Sequence, residues 1–201
     1  MIYLIRHGET ELNATRVVQP ASTPLNARGQ SQAARLAQRL AAIGVEHVLC
    51  SDLERARMTA DPVVRATSAR IEYTPLLQER NFGDLRGRPY SELREDIFAR
   101  DFAPPNGESW PEFDARVSEA WQRVAALAGG VRGNLVVVTH GLVCGSIAPR
   151  FLKLGSRQIV PERWGNTSVT TCERAAPHAV QLLNCVAHLQ GDDDQAAPSG
   201  L

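Results

Sequence analysis

Two short apolar runs, far apart in the chain, each end in a histidine followed by a glycine, and this constrains the fold more than any other feature. Ile2, Tyr3, Leu4 and Ile5 lead directly into Arg6-His7-Gly8, and Leu135-Val136-Val137-Val138-Thr139 leads into His140-Gly141. Both runs are too short for a helix and rich in strand formers, so residues 2–5 and 134–138 read as strands. In open α/β sheets ligands bind in the crevice outside the carboxyl ends of the strands. Arg6, His7 and His140 would face whatever occupies that crevice, and Gly8 lets the backbone turn tightly or approach it closely. Either histidine alone reads as a structural residue. Their shared local grammar favours a functional pair.

The segments between these runs supply the rest of an α/β pattern. Ala33, Leu36, Ala37, Leu40 and Ile43 recur at helical spacing, with Asn26 as N-cap and Gly44 as the stop. Val45 to Cys50 reads as a strand, with Ser51 or Asp52 capping the next helix, which Pro62 should kink or divide. Ile71–Tyr73 reads as a third strand. Ser109 and Glu112 have capping-box spacing at the head of a helix whose Phe113, Val117, Ala120, Trp121, Val124 and Leu127 share one face. Gly129, Gly130 and Gly133 should break the chain after it. A helix begins at Gly141, and strands are expected around 168–172 and 180–186, with a turn at 175–177. Alternation of strand and helix predicts a three-layer α/β sandwich, with a mostly parallel central sheet covered by helices on both faces.

Composition narrows the partners. A chain of 201 residues with 43% hydrophobic content can build a substantial core, and one domain over 1–189 is expected. The polar tail 190–201 reads as disordered. Lys plus Arg and Asp plus Glu are both 22, which argues against a general nucleic-acid binder while leaving room for a local cationic pocket. Cys50, Cys144, Cys172 and Cys185 lack CxxC spacing, and free buried thiols are expected. No signal peptide precedes the first strand, and no apolar run reaches the roughly 20 residues that span a bilayer, so a cytoplasmic protein is expected. His47, His178 and His188 have no matching context and read as structural or surface residues.

Leu4-Ile5-Arg6-His7-Gly8-Glu9-Thr10, the Ser51–Ala56 segment with Thr59, Glu79-Arg80-Asn81-Phe82-Gly83 and Thr139-His140-Gly141 occur in an order that resembles the histidine phosphatase superfamily. That group includes cofactor-dependent phosphoglycerate mutases and many small phosphatases. The resemblance runs from about residue 1 to 186. It implies the phosphoglycerate mutase-like fold and a catalytic set of His7, Glu79, His140, Arg6 and Arg55. It also implies phosphate contacts from Arg6, Asn13, Arg55, His140 and Gly141. By the implied chemistry His7 attacks phosphorus and becomes phosphorylated while Glu79 protonates the leaving oxygen, and protonated His140 and the arginines stabilise the equatorial oxygens. Neither cofactor nor metal is called for. For His7 to attack, its other ring nitrogen should donate to a carbonyl. On local reading alone Asn13 could instead cap a turn, and Glu79 could pair with Arg80 or Arg86. Arg57 reads as part of a solvated, salt-bridged face. Pro20 lacks an amide, so none is available there for a ligand.

Residues 81–115 are irregular, with one helix expected from Tyr90 to about Arg100, and read as a lid over the crevice. Arg86, Arg88, Tyr90, Arg94, Phe98 and Trp110 are candidates to touch the rest of the substrate. A short lid admits water and favours hydrolysis of a small phosphate ester over the mutase alternative. Other readings are a metallohydrolase, for which no HExxH arrangement exists, and a non-catalytic phospho-ligand-binding module. A homodimer is compatible with all of them.

Overall fold

The computed structural model describes residues 1–190; most of the tail expected to be disordered lies outside them. Six strands form one sheet among the described residues: β1 (Ile2–Arg6), β2 (Val45–Ser51), β3 (Arg70–Thr74), β4 (Asn134–Thr139), β5 (Val169–Cys172) and β6 (Val180–Cys185), in the order β3-β2-β4-β1-β5-β6. The β3-β2, β2-β4 and β4-β1 pairs are parallel, whereas β1-β5 and β5-β6 are antiparallel. The short connection between β5 and β6 allows only the antiparallel pairing, because a parallel return needs a crossover of about a dozen residues.

Among the described residues five α-helices accompany the sheet: α1 (Glu11–Ala14), α2 (Ala27–Leu40), α3 (Glu54–Thr67), α4 (Trp110–Gly130) and α5 (Gly141–Phe151). Alternate side chains of each buried strand go to opposite layers. Val136 and Val138 pack with Ile5, Val48, Leu36 and Ala60 under α2 and α3. Leu135 and Val137 pack with Leu4, Phe113, Val117, Val124 and Ile147 under α4 and α5. Each fully buried aliphatic side chain of this kind contributes about 1.5–3 kcal/mol. The expected three-layer sandwich is therefore present, with β5 and β6 as its antiparallel margin.

Several local expectations need correction. The helix capped by Asn26 ends at Leu40, and Gly44 follows it at φ 69° in the turn into β2. Leu53, rather than Ser51 or Asp52, occupies the N-cap of α3 and gives no side-chain cap. Pro62 does not divide α3, which is continuous from Glu54 to Thr67. Gly129 and Gly130 stay within α4, which closes at Val131. The capping box at Ser109 and Glu112 is present as expected. Between Tyr90 and Arg100 there is a single 3-10 turn, Tyr90–Glu92, instead of an α-helix. Burial decides this: Ile97 and, partly, Leu93, Phe98 and Phe102 are drawn into a cluster with Val18, Phe82 and Leu85. Arg80 fixes the irregular path by donating to the carbonyls of Ile97, Phe102 and Glu108. Cys50, Cys144 and Cys172 are buried free thiols, while Cys185 is only partly buried. No helix among the described residues is long and apolar enough to cross a membrane.

Candidate active site

The parallel register of the two central strands brings the histidines together. Arg6 lies opposite Thr139, so β1 and β4 end at the same level, and the His7 amide donates to the Thr139 carbonyl at 2.9 Å. The two imidazoles that follow have centroids 5.1 Å apart. Both residues are buried. Burial and the Arg55 and Arg6 guanidiniums hold the His7 imidazole well below its ordinary pKa. Burial, Arg55, His7 and Arg6 do the same to His140. Both shifts favour the neutral imidazole. A phosphate dianion would oppose the effect of the two arginines.

His7 Nδ1 lies 2.7 Å from the Gly8 carbonyl oxygen. A carbonyl only accepts, so Nδ1 carries the proton and Nε2 keeps its lone pair. The Gly8 amide donates to Thr59 Oγ1 at 2.9 Å, and that hydroxyl donates to the Arg55 carbonyl at 2.7 Å. Thr59 thus ties the glycine turn to the helix that carries Arg55. Behind the turn, Glu9 accepts from Asn26 and Arg28 and its amide donates to Gln32, fastening the loop to α2.

Arg6 and Arg55 are both 2% exposed, a desolvation that pulls Arg55 down to about 10. Arg6 Nη1 donates to the Trp164 carbonyl, and Arg55 Nη1 to the Pro20 carbonyl at 3.2 Å. Pro20, which lacks an amide, serves instead through its oxygen. Glu79 is half-buried, and burial raises its carboxyl above the ordinary range against the opposing pull of two amides and the arginines. Those amides are Leu142 N, to Oε2 at 3.1 Å, and Arg80 N, to Oε1 at 3.0 Å. The first turn of α5 therefore holds the Glu79 carboxylate, and the surface pairing with Arg80 or Arg86 does not form. A Cβ on Gly141 would stand 3.6 Å from Arg6 Nε and 3.9 Å from Glu79 Oε2, so this glycine packs on both.

Asn13 does not cap a turn with its side chain. Thr10 caps α1, and the buried Asn13 Oδ1 lies 3.5 Å from Asn166 Nδ2, which also donates to the His7 carbonyl at 3.0 Å. Among the described residues, Asn13 Nδ2, Arg55 Nε and His140 Nδ1 are buried without a hydrogen-bond partner. Buried polar groups of this kind cost about 1–3 kcal/mol each when unpaired.

Arg6, His7, Arg55 and Glu79 line a narrow cleft together with Arg86, Tyr90 and Phe98. Arg88 and Arg94 face a separate surface groove, and Trp110 lies under Arg80 and Arg100 with its Nε1 on the Ala99 carbonyl. His178 packs edge-on against Trp121, and His188 bonds to Arg39 and Thr167, away from the cleft. Sequence reasoning named Ser51 as a cap and missed its bond to His140, whose Nε2 is 2.8 Å from Ser51 Oγ, and it missed Arg116, which grips the chain around Glu79. Among the described residues, no three His, Cys, Asp or Glu side chains converge in a way that could hold a metal ion. The arrangement can deliver an imidazole lone pair to an anion, spread its charge over two guanidiniums and donate a proton from a neutralised carboxyl.

The sequence model of the histidine phosphatase superfamily, branch 1, matches residues 2–185. The chain is 36% identical over 204 residues to "Probable phosphoglycerate mutase GpmB" of Shigella boydii, covering 94% of each protein. The crystal structure of alpha-ribazole phosphatase from Shigella flexneri superposes with a TM-score of 0.79 at 28% identity, covering 92% of this chain and 96% of that one. The mycobacterial glucosyl-3-phosphoglycerate phosphatase in complex with VO3 superposes at 0.70 with 25% identity, covering 84% and 88%. The chain belongs to the histidine phosphatase superfamily and is a phosphatase of that group.

Proposed function

We propose that the protein hydrolyses phosphate monoesters of small metabolites without a metal, through a phosphohistidine on His7. His7 Nε2 attacks phosphorus in line; the N–P bond forms as the P–O bond to the leaving group breaks, and Glu79 gives its proton to the departing oxygen. Water then attacks the phosphohistidine, Glu79 takes a proton from it, the N–P bond breaks and inorganic phosphate leaves. Arg6, Arg55, Asn13 and His140 stabilise the equatorial oxygens, with Gly141 leaving room for them. Residues 1–189 act as one unit, with 81–115 as a lid over the cleft. Small esters fit the net charge of zero better than nucleic acid does, and the cytoplasm is the expected setting.

The observation that carries this reading is the Gly8 carbonyl on His7 Nδ1. It supports the tautomer in which Nε2 keeps its lone pair for the attack. The mutase alternative has its own support in the 36% identity to a relative bearing that name. One experiment addresses both. Wild type and His7→Ala, with chelator present, are mixed with phosphate esters carrying labelled phosphorus. Acid-labile label on the wild-type protein alone, followed by phosphate release, is the expected result. Label retained until a second phosphoglycerate accepts it would favour the mutase. Release by the alanine variant would refute the nucleophile.

A further inference from the structure

Ser51 closes β2, and its side chain reaches along the end of the sheet to the second histidine. β2 and β4 run parallel with Cys50 opposite Val138, so Ser51 and His140 leave neighbouring strands at nearly the same level. Both are fully buried. Ser51 Oγ stands 2.8 Å from His140 Nε2 and accepts from the Leu53 amide at 3.3 Å. A hydroxyl has one proton to give and the amide can only donate, so that proton goes to the imidazole nitrogen, the partner able to accept it. Were Nε2 to carry the hydrogen instead, the hydroxyl would accept twice and bury its own proton unpaired. His140 occupies the N-cap of α5 but gives no side-chain cap, so the helix does not engage its ring. Nδ1, the other ring nitrogen, is buried without a hydrogen-bond partner among the described residues. It is the nitrogen left for a ligand.

We propose that Ser51 is a positioning residue that sets the tautomer of His140: by donating to Nε2 it keeps the ring's hydrogen on Nδ1, and a neutral His140 gives that N–H to a phosphoryl oxygen. The role of the phosphate rests on the hydrolase reading above; the tautomer does not. Burial beside Arg55 and Arg6 disfavours a third cation in the same place. A neutral donor adds a hydrogen bond without that cost. An imidazole free in water prefers the opposite tautomer, with its hydrogen on Nε2, and in the cleft that form would turn a lone pair toward the anion. The Leu53 amide that Ser51 accepts lies at the N-cap of α3, the helix bearing Arg55, so one hydroxyl ties the second histidine to the arginine's helix.

The test reads the tautomer directly. Nitrogen NMR spectra of ligand-free protein labelled in its histidines, with the His140 signals identified by their loss in His140→Asn, should show hydrogen on Nδ1 and a bare Nε2 at neutral pH. Hydrogen on Nε2, or on both nitrogens, would overturn the inference. In Ser51→Ala the hydrogen should move largely to Nε2, and inorganic phosphate, followed by calorimetry, should bind about tenfold more weakly, the worth of one hydrogen bond. In the His140→Asn background the same serine change should weaken phosphate no further, which a merely structural role of Ser51 would not produce. An unchanged tautomer in Ser51→Ala, or an equal loss in both backgrounds, would also overturn it. Should Ser51→Ala fail to fold, the wild-type spectrum decides alone. The expected tautomer without ester hydrolysis would leave the inference standing and remove only the hydrolase reading.

Discussion

Arg116 and Glu108 form a forked ion pair, with Nε and Nη2 each 2.8 Å from one carboxylate oxygen. The same guanidinium donates to the carbonyls of Leu76 and Gln78, both at 2.8 Å, and more weakly to that of Glu79 at 3.4 Å. One side chain on α4 thus fixes the backbone that presents the proposed acid. Lysine offers a single point charge and cannot reproduce the fork. Arg116→Lys is expected to lower kcat by about tenfold to a hundredfold with KM changed little, because misplacing a catalytic group costs the chemical step before it costs binding. The unfolding free energy should fall by about 3 kcal/mol, as Glu108 is left half-buried without its fork. Steady-state kinetics and urea unfolding read the two effects separately.

Gly29 shows how a backbone contact supports the site from a distance. A Cβ there would lie 2.0 Å from the Glu9 carbonyl oxygen, and one on Gly8 would lie 2.7 Å from the Gly29 oxygen. The turn that follows His7 therefore sits directly on the first turn of α2. Gly29→Ala must push the two apart and should cost about 2–3 kcal/mol, in the range of an overpacked core, together with most of the activity. Gly44→Ala meets nothing within 4 Å but sits at φ 69°. It should cost only about 1–2 kcal/mol of left-handed strain and leave kcat unchanged. Denaturation midpoints and turnover of the two variants, compared side by side, test the distinction.

The site residues on β1 and β4 were legible because strand identity depends on local apolar runs, and parallel pairing puts their ends level. The α2 cap at Asn26 was legible for the same local reason. Residues 81–109 were not. Their path is set by Arg80, whose three nitrogens reach the carbonyls of Ile97, Phe102 and Glu108, and no periodicity records a carbonyl's partner. Ser51 was noticed for the wrong reason. A serine before a helix reads as a cap, whereas this one bonds to His140 across a separation of 89 residues. Nothing in the sequence singled out Arg116, since the carbonyls it grips, those of Leu76 and Gln78, lie 40 and 38 residues away.

Acid stability should depend on His188. Its imidazole is held at about 4, against an ordinary 6.5, by burial and by Arg39 and Arg35. The folded state therefore favours the neutral ring. That contribution is fully present above pH 6.5 and is lost as pH falls from 6.5 to about 4, where the unfolded chain binds a proton that the folded one does not. Because the ring is only partly buried, solvent screening reduces the effect to about 1–2 kcal/mol. His188→Gln should lose less stability than wild type by that amount between pH 7 and pH 4.5. The double difference cancels the contributions of His7 and His140, which both forms share. Equal losses in urea unfolding would refute the assignment.

The pH profile of turnover should expose the division of labour between His7 and Glu79. His7 attacks only when neutral, and its pKa lies well below 6.5, so the acid limb of kcat/KM falls below the ordinary histidine range. Glu79 must be protonated to serve the leaving oxygen, and its pKa lies above the ordinary 4.5. The rate should therefore decline on the alkaline side as that proton is lost. Glu79→Gln cannot donate, so its alkaline limb should vanish, while the substrate's own phosphate ionisation remains common to both enzymes. General acid catalysis matters most for a poor leaving group. The variant should lose about a hundredfold or more with 2-phenylethyl phosphate, and less than about tenfold with 4-nitrophenyl phosphate, whose phenolate needs no proton. A uniform loss across both esters, with the alkaline limb intact, would mean that Glu79 shapes the cleft rather than supplying the proton.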